Sequence, residues 1–312
     1  MNDKTQPMAQ QQADPQTKSL RDCAVLFAKG FCMGAADVVP GVSGGTMALV
    51  LGIYEELLLS VKSFDLRFFR LLAALRIRFA FEKIPVAFLV SLFGGVLCAI
   101  FTLAKGLSWL LANHPVGVWS FFFGLVLASA FTVGRRIEKW PPGAIVMLFL
   151  SCAAAYVLVG IVPVTTPDSR IFLFICGAIA ICAMILPGIS GSFILVLLGK
   201  YQTVLEAVHR LDFATLIVVG MGAVSGLMLF VRILNWLLNH HHTITLACLT
   251  GLMIGSLRKI WPWKTSPIED SGLSIINVLP THMNTEFFLA CGLALIGIAA
   301  VVALQWLASL EE

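Results

Sequence analysis

A chain of 312 residues with 59% hydrophobic and 12% charged residues carries about half the charge of a soluble domain, which excludes a water-soluble globular protein. The net charge of +4 rests on lysines and arginines gathered between apolar runs, a distribution that belongs to membrane orientation rather than to nucleic-acid binding. Eight cysteines with no Cys-x-x-Cys exclude a zinc ribbon or a disulfide framework and read as small buried hydrophobes.

In chain order, residues 1–20 are glutamine-rich and hold no apolar block, so they predict a disordered cytoplasmic tail and not a signal peptide. Apolar segments follow near 22–61, 85–112, 115–134, 143–163, 171–208, 213–239, 243–257 and 286–308. A spanning helix needs roughly 20 residues. The segments at 22–61 and 171–208 exceed one crossing, and each is interrupted in the middle. The interruptions read Pro40-Gly41-Val42-Ser43-Gly44-Gly45-Thr46 and Pro187-Gly188-Ile189-Ser190-Gly191-Ser192-Phe193. Proline removes a backbone donor and glycine loosens the chain, so no helix continues through either. Irregular backbone at membrane depth persists only when it is buried in protein or lines a water-filled cavity. Each segment therefore predicts a re-entrant hairpin or a pair of half-helices.

The two interruptions belong to a longer repeat. Residues 40, 41, 43, 44, 52, 54, 58, 61 and 65 meet the same residue types at 187, 188, 190, 191, 199, 201, 205, 208 and 212. After a basic insertion near 66–86 in the first half, Gly95 meets Gly222, Trp109-Leu110-Leu111 meets Trp236-Leu237-Leu238, and Gly124 meets Gly251. The expected fold is an all-α polytopic membrane protein of two repeats, 21–163 and 164–312, each a broken hairpin plus three transmembrane helices. Three crossings per half is an odd number, so the repeats are expected to be inverted, a recurring transporter plan. Cations at 62–84 and 135–142 predict a cytoplasmic N-terminus, with 113–116 and 164–170 outside. Arg258, Lys259 and Lys264 fall outside in this scheme. They are either a misfit of the last crossings or an external cluster that collects an anion.

The interruptions carry the strongest chemical signal. Gly41, Gly44, Gly45, Gly188 and Gly191 let backbone N–H groups face a ligand, and Ser43, Thr46, Ser190 and Ser192 add hydroxyl donors. A helix starting after each break presents free N–H groups and a positive dipole end, which suits a phosphate. The alternative is that the motifs are tight turns that allow close helix packing. Lys105 and Arg232 align in the repeat inside apolar helices. They read either as phosphate ligands or as cations snorkelling to the interface. Asp37, three residues before the first break, is a candidate proton or sodium site or a simple balance to the next helix dipole. No Walker motif, Gly-x-Ser-x-Gly or His-Glu-x-x-His occurs, so the chain is expected to be a transporter and not an enzyme, with no cofactor and no metal.

The run Phe31-Cys32-Met33-Gly34-Ala35-Ala36-Asp37-Val38-Val39-Pro40-Gly41-Val42-Ser43-Gly44-Gly45-Thr46, with Leu51-Gly52-Ile53-Tyr54-Glu55 and Leu186-Pro187-Gly188-Ile189-Ser190-Gly191-Ser192, resembles the signatures of the PopT-type undecaprenyl-phosphate transporter family over about 22–308. Ser192 and Phe193 depart from the Gly-Thr of the first motif. The resemblance implies a flippase of the bacterial inner membrane. It would return the carrier lipid undecaprenyl phosphate from the outer to the cytoplasmic leaflet, with polyprenyl phosphate and the bilayer as its partners. A transporter of a small soluble anion is the second reading, separated by whether a lateral opening to lipid exists. A membrane lipid phosphatase is a third, and it lacks a histidine–arginine pair near the breaks.

Overall fold

The computed structural model describes residues 19–39, 42–161, 166–167, 169–264, 277–280 and 283–309. The expected tail at 1–18, Pro40, Gly41 and part of the 164–170 loop lie outside the described residues. Among the described residues the chain is helical, with one isolated antiparallel bridge between Lys264 and Asn277.

Helix α1 (Leu20–Asp37) begins on a capping box formed by Ser19 and Asp22 and ends at the first break. The segment after the break is not the single half-helix that its length predicts. It splits into α2 (Gly44–Val50) and α3 (Tyr54–Lys62), bent by 115°. The second half repeats this with α9 (Arg170–Ile185), α10 (Gly191–Leu197) and α11 (Tyr201–Arg210), bent by 109°. Gly52 (φ +71°) and Gly199 (φ +64°) make these turns in a left-handed conformation that glycine adopts at least cost. Both bent pairs fit re-entrant hairpins. The basic insertion forms α4 (Leu66–Ala73) and α5 (Ile77–Phe81), closed by a small core of Phe68, Ala80 and Ile84.

Six further helices follow the apolar pattern: α6 (Val86–Asn113), α7 (Pro115–Arg135), α8 (Pro142–Gly160), α12 (Phe213–His240), α13 (His242–Ser256) and α14 (Thr285–Ser309). Five of them are long and apolar enough to cross a bilayer. The exception is α13, whose 15 residues span about 22 Å. It is also among the most enclosed helices, with Leu246, Leu249 and Met253 buried.

Close packing follows the repeat. A Cβ on Gly95 of α6 would meet the Phe27 carbonyl of α1, and one on Gly222 of α12 would meet the equivalent Phe174 carbonyl of α9. Without a hydrophobic force between helices in lipid, such small-residue contacts bring backbones together. The remaining pairs cross between halves: α14 packs on α7 through Gly124 and Gly297, and α8 packs on α13 through Gly251 and Gly255. Contacts of α7 with α13 and the segment that follows it run in opposite chain directions, from Trp119 with Lys264, through Phe123 with Trp261, to Gly134 with Thr250. The main core extends from Phe88 and Leu92 of α6 through Val126 and Val133 of α7 to Leu249 of α13.

Candidate functional site

The tips of the two broken hairpins meet. A helix leaves its last carbonyls without intrahelical donors, and α9 ends against the first break, which supplies them. The Ser43 hydroxyl lies 3.3 Å from both the Met184 and the Leu186 carbonyls, and the Tyr54 hydroxyl donates to the Ile185 carbonyl at 3.2 Å. In the reverse direction the Gly188 N–H donates to the Thr46 hydroxyl at 3.0 Å. Ser43 also caps its own helix by accepting from the Gly45 N–H, and the Asp37 carboxylate accepts from the Gly44 N–H at 2.6 Å. At 2% and 0% exposure, Ser43 and Thr46 have their hydroxyls engaged inside the protein.

The second break is arranged differently. Gly188 sits at φ +87° against Leu252, Met253 and Ser256 of α13, where a Cβ would press on backbone. The helix that follows has no side-chain cap. Met184 stands where the first repeat has Asp37, so no carboxylate meets the N–H of Gly191. The Ser190 and Ser192 hydroxyls bond each other at 2.8 Å, with Ser192 exposed.

Beside this break lies the basic cluster that the sequence reading left as a misfit or an anion collector. Lys259 Nζ lies 4.3 Å over the ring of Phe193, the residue next to Ser192. Lys264 Nζ lies 4.2 Å over Trp119 and donates to the Lys259 carbonyl at 2.7 Å. Arg258 covers Tyr156 at 4.4 Å and donates to its carbonyl. Among the described residues, no carboxylate pairs with these cations. Burial, together with the neighbouring Lys259 charge, pushes the Lys264 ammonium down to about 8, and burial lowers Lys259 as well. Half-buried cations without counter-ions disfavour their own charge, and a bound anion would relieve that cost.

Lys105 and Arg232 are exposed on α6 and α12, and among the described residues no hydrogen bond or ion pair joins either to the breaks. Sequence reasoning missed Lys200, which is 3% exposed at the second hairpin turn and donates to the Thr166 carbonyl at 3.1 Å. Its place next to Gly199 was the available signal.

An apolar cavity of about 810 Å³ opens among α6, α7 and α14. Leu103, Leu107, Phe121, Phe122 and Leu289 line it, with Asn113, His114 and Glu286 also in its wall. Ala35 of α1, two residues from Asp37, ties the cavity to the first break.

Residues 33–272 match the VCA0040-like family, described as undecaprenyl phosphate translocase-like. A polyprenyl-phosphate transporter of Vibrio cholerae is 43% identical over 292 residues, covering 89% of this chain and 95% of the relative. A polyprenyl-phosphate transporter of Staphylococcus aureus is 31% identical over 254 residues, covering 75% and 84%. No solved structure matches.

Proposed function

We propose that this chain, which belongs to the VCA0040-like, undecaprenyl phosphate translocase-like family, transports polyprenyl phosphate, and specifically returns undecaprenyl phosphate from the outer to the cytoplasmic leaflet of the bacterial inner membrane for reuse. The observation that carries this reading is an apolar cavity that reaches Ala35 of α1, the helix that ends at the first of two polar breaks, while the breaks themselves meet through Thr46 and Gly188. A polyprenyl phosphate needs that combination. Its head cannot cross hydrocarbon without polar partners, while its tail stays in an apolar medium. A soluble anion has no use for the cavity.

The head-group site in this reading comprises both breaks: Gly41, Ser43, Gly44, Gly45 and Thr46 from the first, Gly188, Ser190, Gly191 and Ser192 from the second. Lys105 and Arg232 serve as cations along the path. The exposed Ser190–Ser192 pair and Lys259 receive the phosphate first. The bonds of Ser43, Thr46 and Tyr54 to the second break form a latch that must open before the head reaches the first break. Opposite chain directions in α7 and the segment from α13 to Lys264 support reading the halves as inverted repeats, whose relative movement would expose the first break once the latch opens. Asp37, at the end of α1 beside the latch, couples the exchange to a cation gradient.

Mass spectrometry of lipid retained by gently extracted protein, paired with flipping of a fluorescent polyprenyl phosphate in proteoliposomes, tests the reading. Undecaprenyl phosphate should co-purify, and the probe should cross only in vesicles containing the protein. Uptake of a water-soluble anion without lipid flipping would overturn it.

A further inference from the structure

The basic insertion near 66–86, present only in the first half, has no role in the reading above. Between the end of α3 and the start of α6, the side chains of Lys62, Arg67, Arg76 and Lys83 line a cavity of about 470 Å³, together with Asp65 and Glu82. Apart from Ser63, its remaining wall is apolar, from Leu59, Phe68, Leu71, Phe79 and Ala80. Asp65 is occupied in capping α4, accepting from the Phe68 N–H at 2.8 Å. Among the described residues, no hydrogen bond, ion pair or ring contact engages the side chains of the four cations. Phe69, Leu72, Leu75, Ile77, Phe79 and Phe81 are all exposed along the same two short helices. In water that surface would be costly. At a bilayer interface, apolar side chains enter the acyl region while arginines and lysines meet head groups.

We propose that α4 and α5 lie in the membrane interface and hold one acidic phospholipid, distinct from the transported lipid, with its phosphate among Lys62, Arg67, Arg76 and Lys83 and its acyl chains leaving over Leu59 and Phe79. Charge complementarity selects the occupant. Four cations against two carboxylates suit a head group with net negative charge and gain little from a zwitterionic one. Because the cavity wall includes Leu59 and Lys62 of α3, the lipid staples the returning arm of the first hairpin to the interface. The second repeat lacks the insertion, so only the first hairpin is held this way.

The test uses full-length protein in nanodiscs of phosphatidylcholine with and without phosphatidylglycerol, followed by native mass spectrometry. The parent should retain one phosphatidylglycerol in preference to phosphatidylcholine. Arg67→Gln with Arg76→Gln should weaken that retention roughly thirtyfold. Arg67→Lys with Arg76→Lys should keep it, which separates loss of charge from loss of fold. Arg135→Gln with Arg136→Gln, in the other basic loop, should leave it unchanged. Equal retention of both lipids by the parent, or an unchanged preference in the Gln variant, would overturn the proposal. So would displacement of phosphatidylglycerol by undecaprenyl phosphate, which would make the cavity part of the transport path.

Discussion

The two breaks begin from nearly the same residues, Pro-Gly-Val-Ser-Gly-Gly-Thr and Pro-Gly-Ile-Ser-Gly-Ser-Phe, and reach opposite electrostatic situations. In the first, Asp37 and Ser43 cap the new helix, and Ser43, Thr46 and Tyr54 bond across to the second break. In the second, Met184 replaces Asp37 and Phe193 replaces Thr46, the equivalent Tyr201 is exposed, and the helix start is uncapped. A cluster of underpaired cations stands beside the open break and not beside the closed one. A duplicated motif thus supplies a hydrogen-bonded contact from one copy and an uncapped helix start from the other, through a few side-chain changes; in the proposed function these act as latch and receptive surface.

That asymmetry breaks most directly at Lys259. Lys259→Gln should weaken binding of undecaprenyl phosphate in nanodiscs by about ten- to a hundredfold, the range for a hydrogen bond to a charged group. An unchanged affinity would remove the cluster from the site. Ser190→Ala with Ser192→Ala should cost about tenfold in the same assay, because the hydroxyl pair leaves one O–H free to donate to the phosphate and the double variant removes it.

The pH dependence sharpens the comparison further. Anion binding favours protonated Lys264, whose ammonium titrates near 8 in the free protein, so affinity should fall roughly fivefold as pH rises from about 7 to 9. Lys264→Arg should abolish the fall, since arginine stays charged throughout.

While the latch is closed, the first break should contribute structure and little to the initial binding of the phosphate. Ser43→Ala is expected to lower stability to thermal unfolding by about 1 kcal/mol, the cost of a lost cap, and to change head-group affinity by less than about threefold. A larger affinity loss than that of the Ser190–Ser192 pair would invert the assignment. The smallest effect on binding belongs to Asp37→Asn, which keeps an acceptor for the Gly44 N–H but not the charge. Binding should be unchanged, while flipping in proteoliposomes should lose its response to an imposed proton or sodium gradient. A mutant that still responds to both gradients would exclude Asp37 from coupling.

Much of the architecture was legible because bilayer physics writes it into composition. The segments read at 85–112, 115–134 and 213–239 became α6, α7 and α12 within a residue or two, since a spanning helix must be continuously apolar. The interruptions were equally plain, because proline and glycine in an apolar run have few explanations at membrane depth. The bends at Gly52 and Gly199 were not read. A lone glycine is compatible with a helix, and only the positive φ in the folded chain showed the turn.

What the sequence by itself determined is therefore local: which stretches are apolar enough to span, where no helix can continue, and that two halves share a pattern. The tertiary structure alone decided which polar groups were already satisfied. Ser43 and Ser190 occupy equivalent positions in equivalent motifs. One faces carbonyls at the end of α9 and the other faces only Ser192, a difference set by residues more than a hundred positions away. Lys259 and Lys264 were likewise legible as cations but not as neighbours of the second break. Hydrogen bonding and charge pairing depend on distances of a few ångströms between remote segments, and those distances exist only once α13 has packed against α7 and α8.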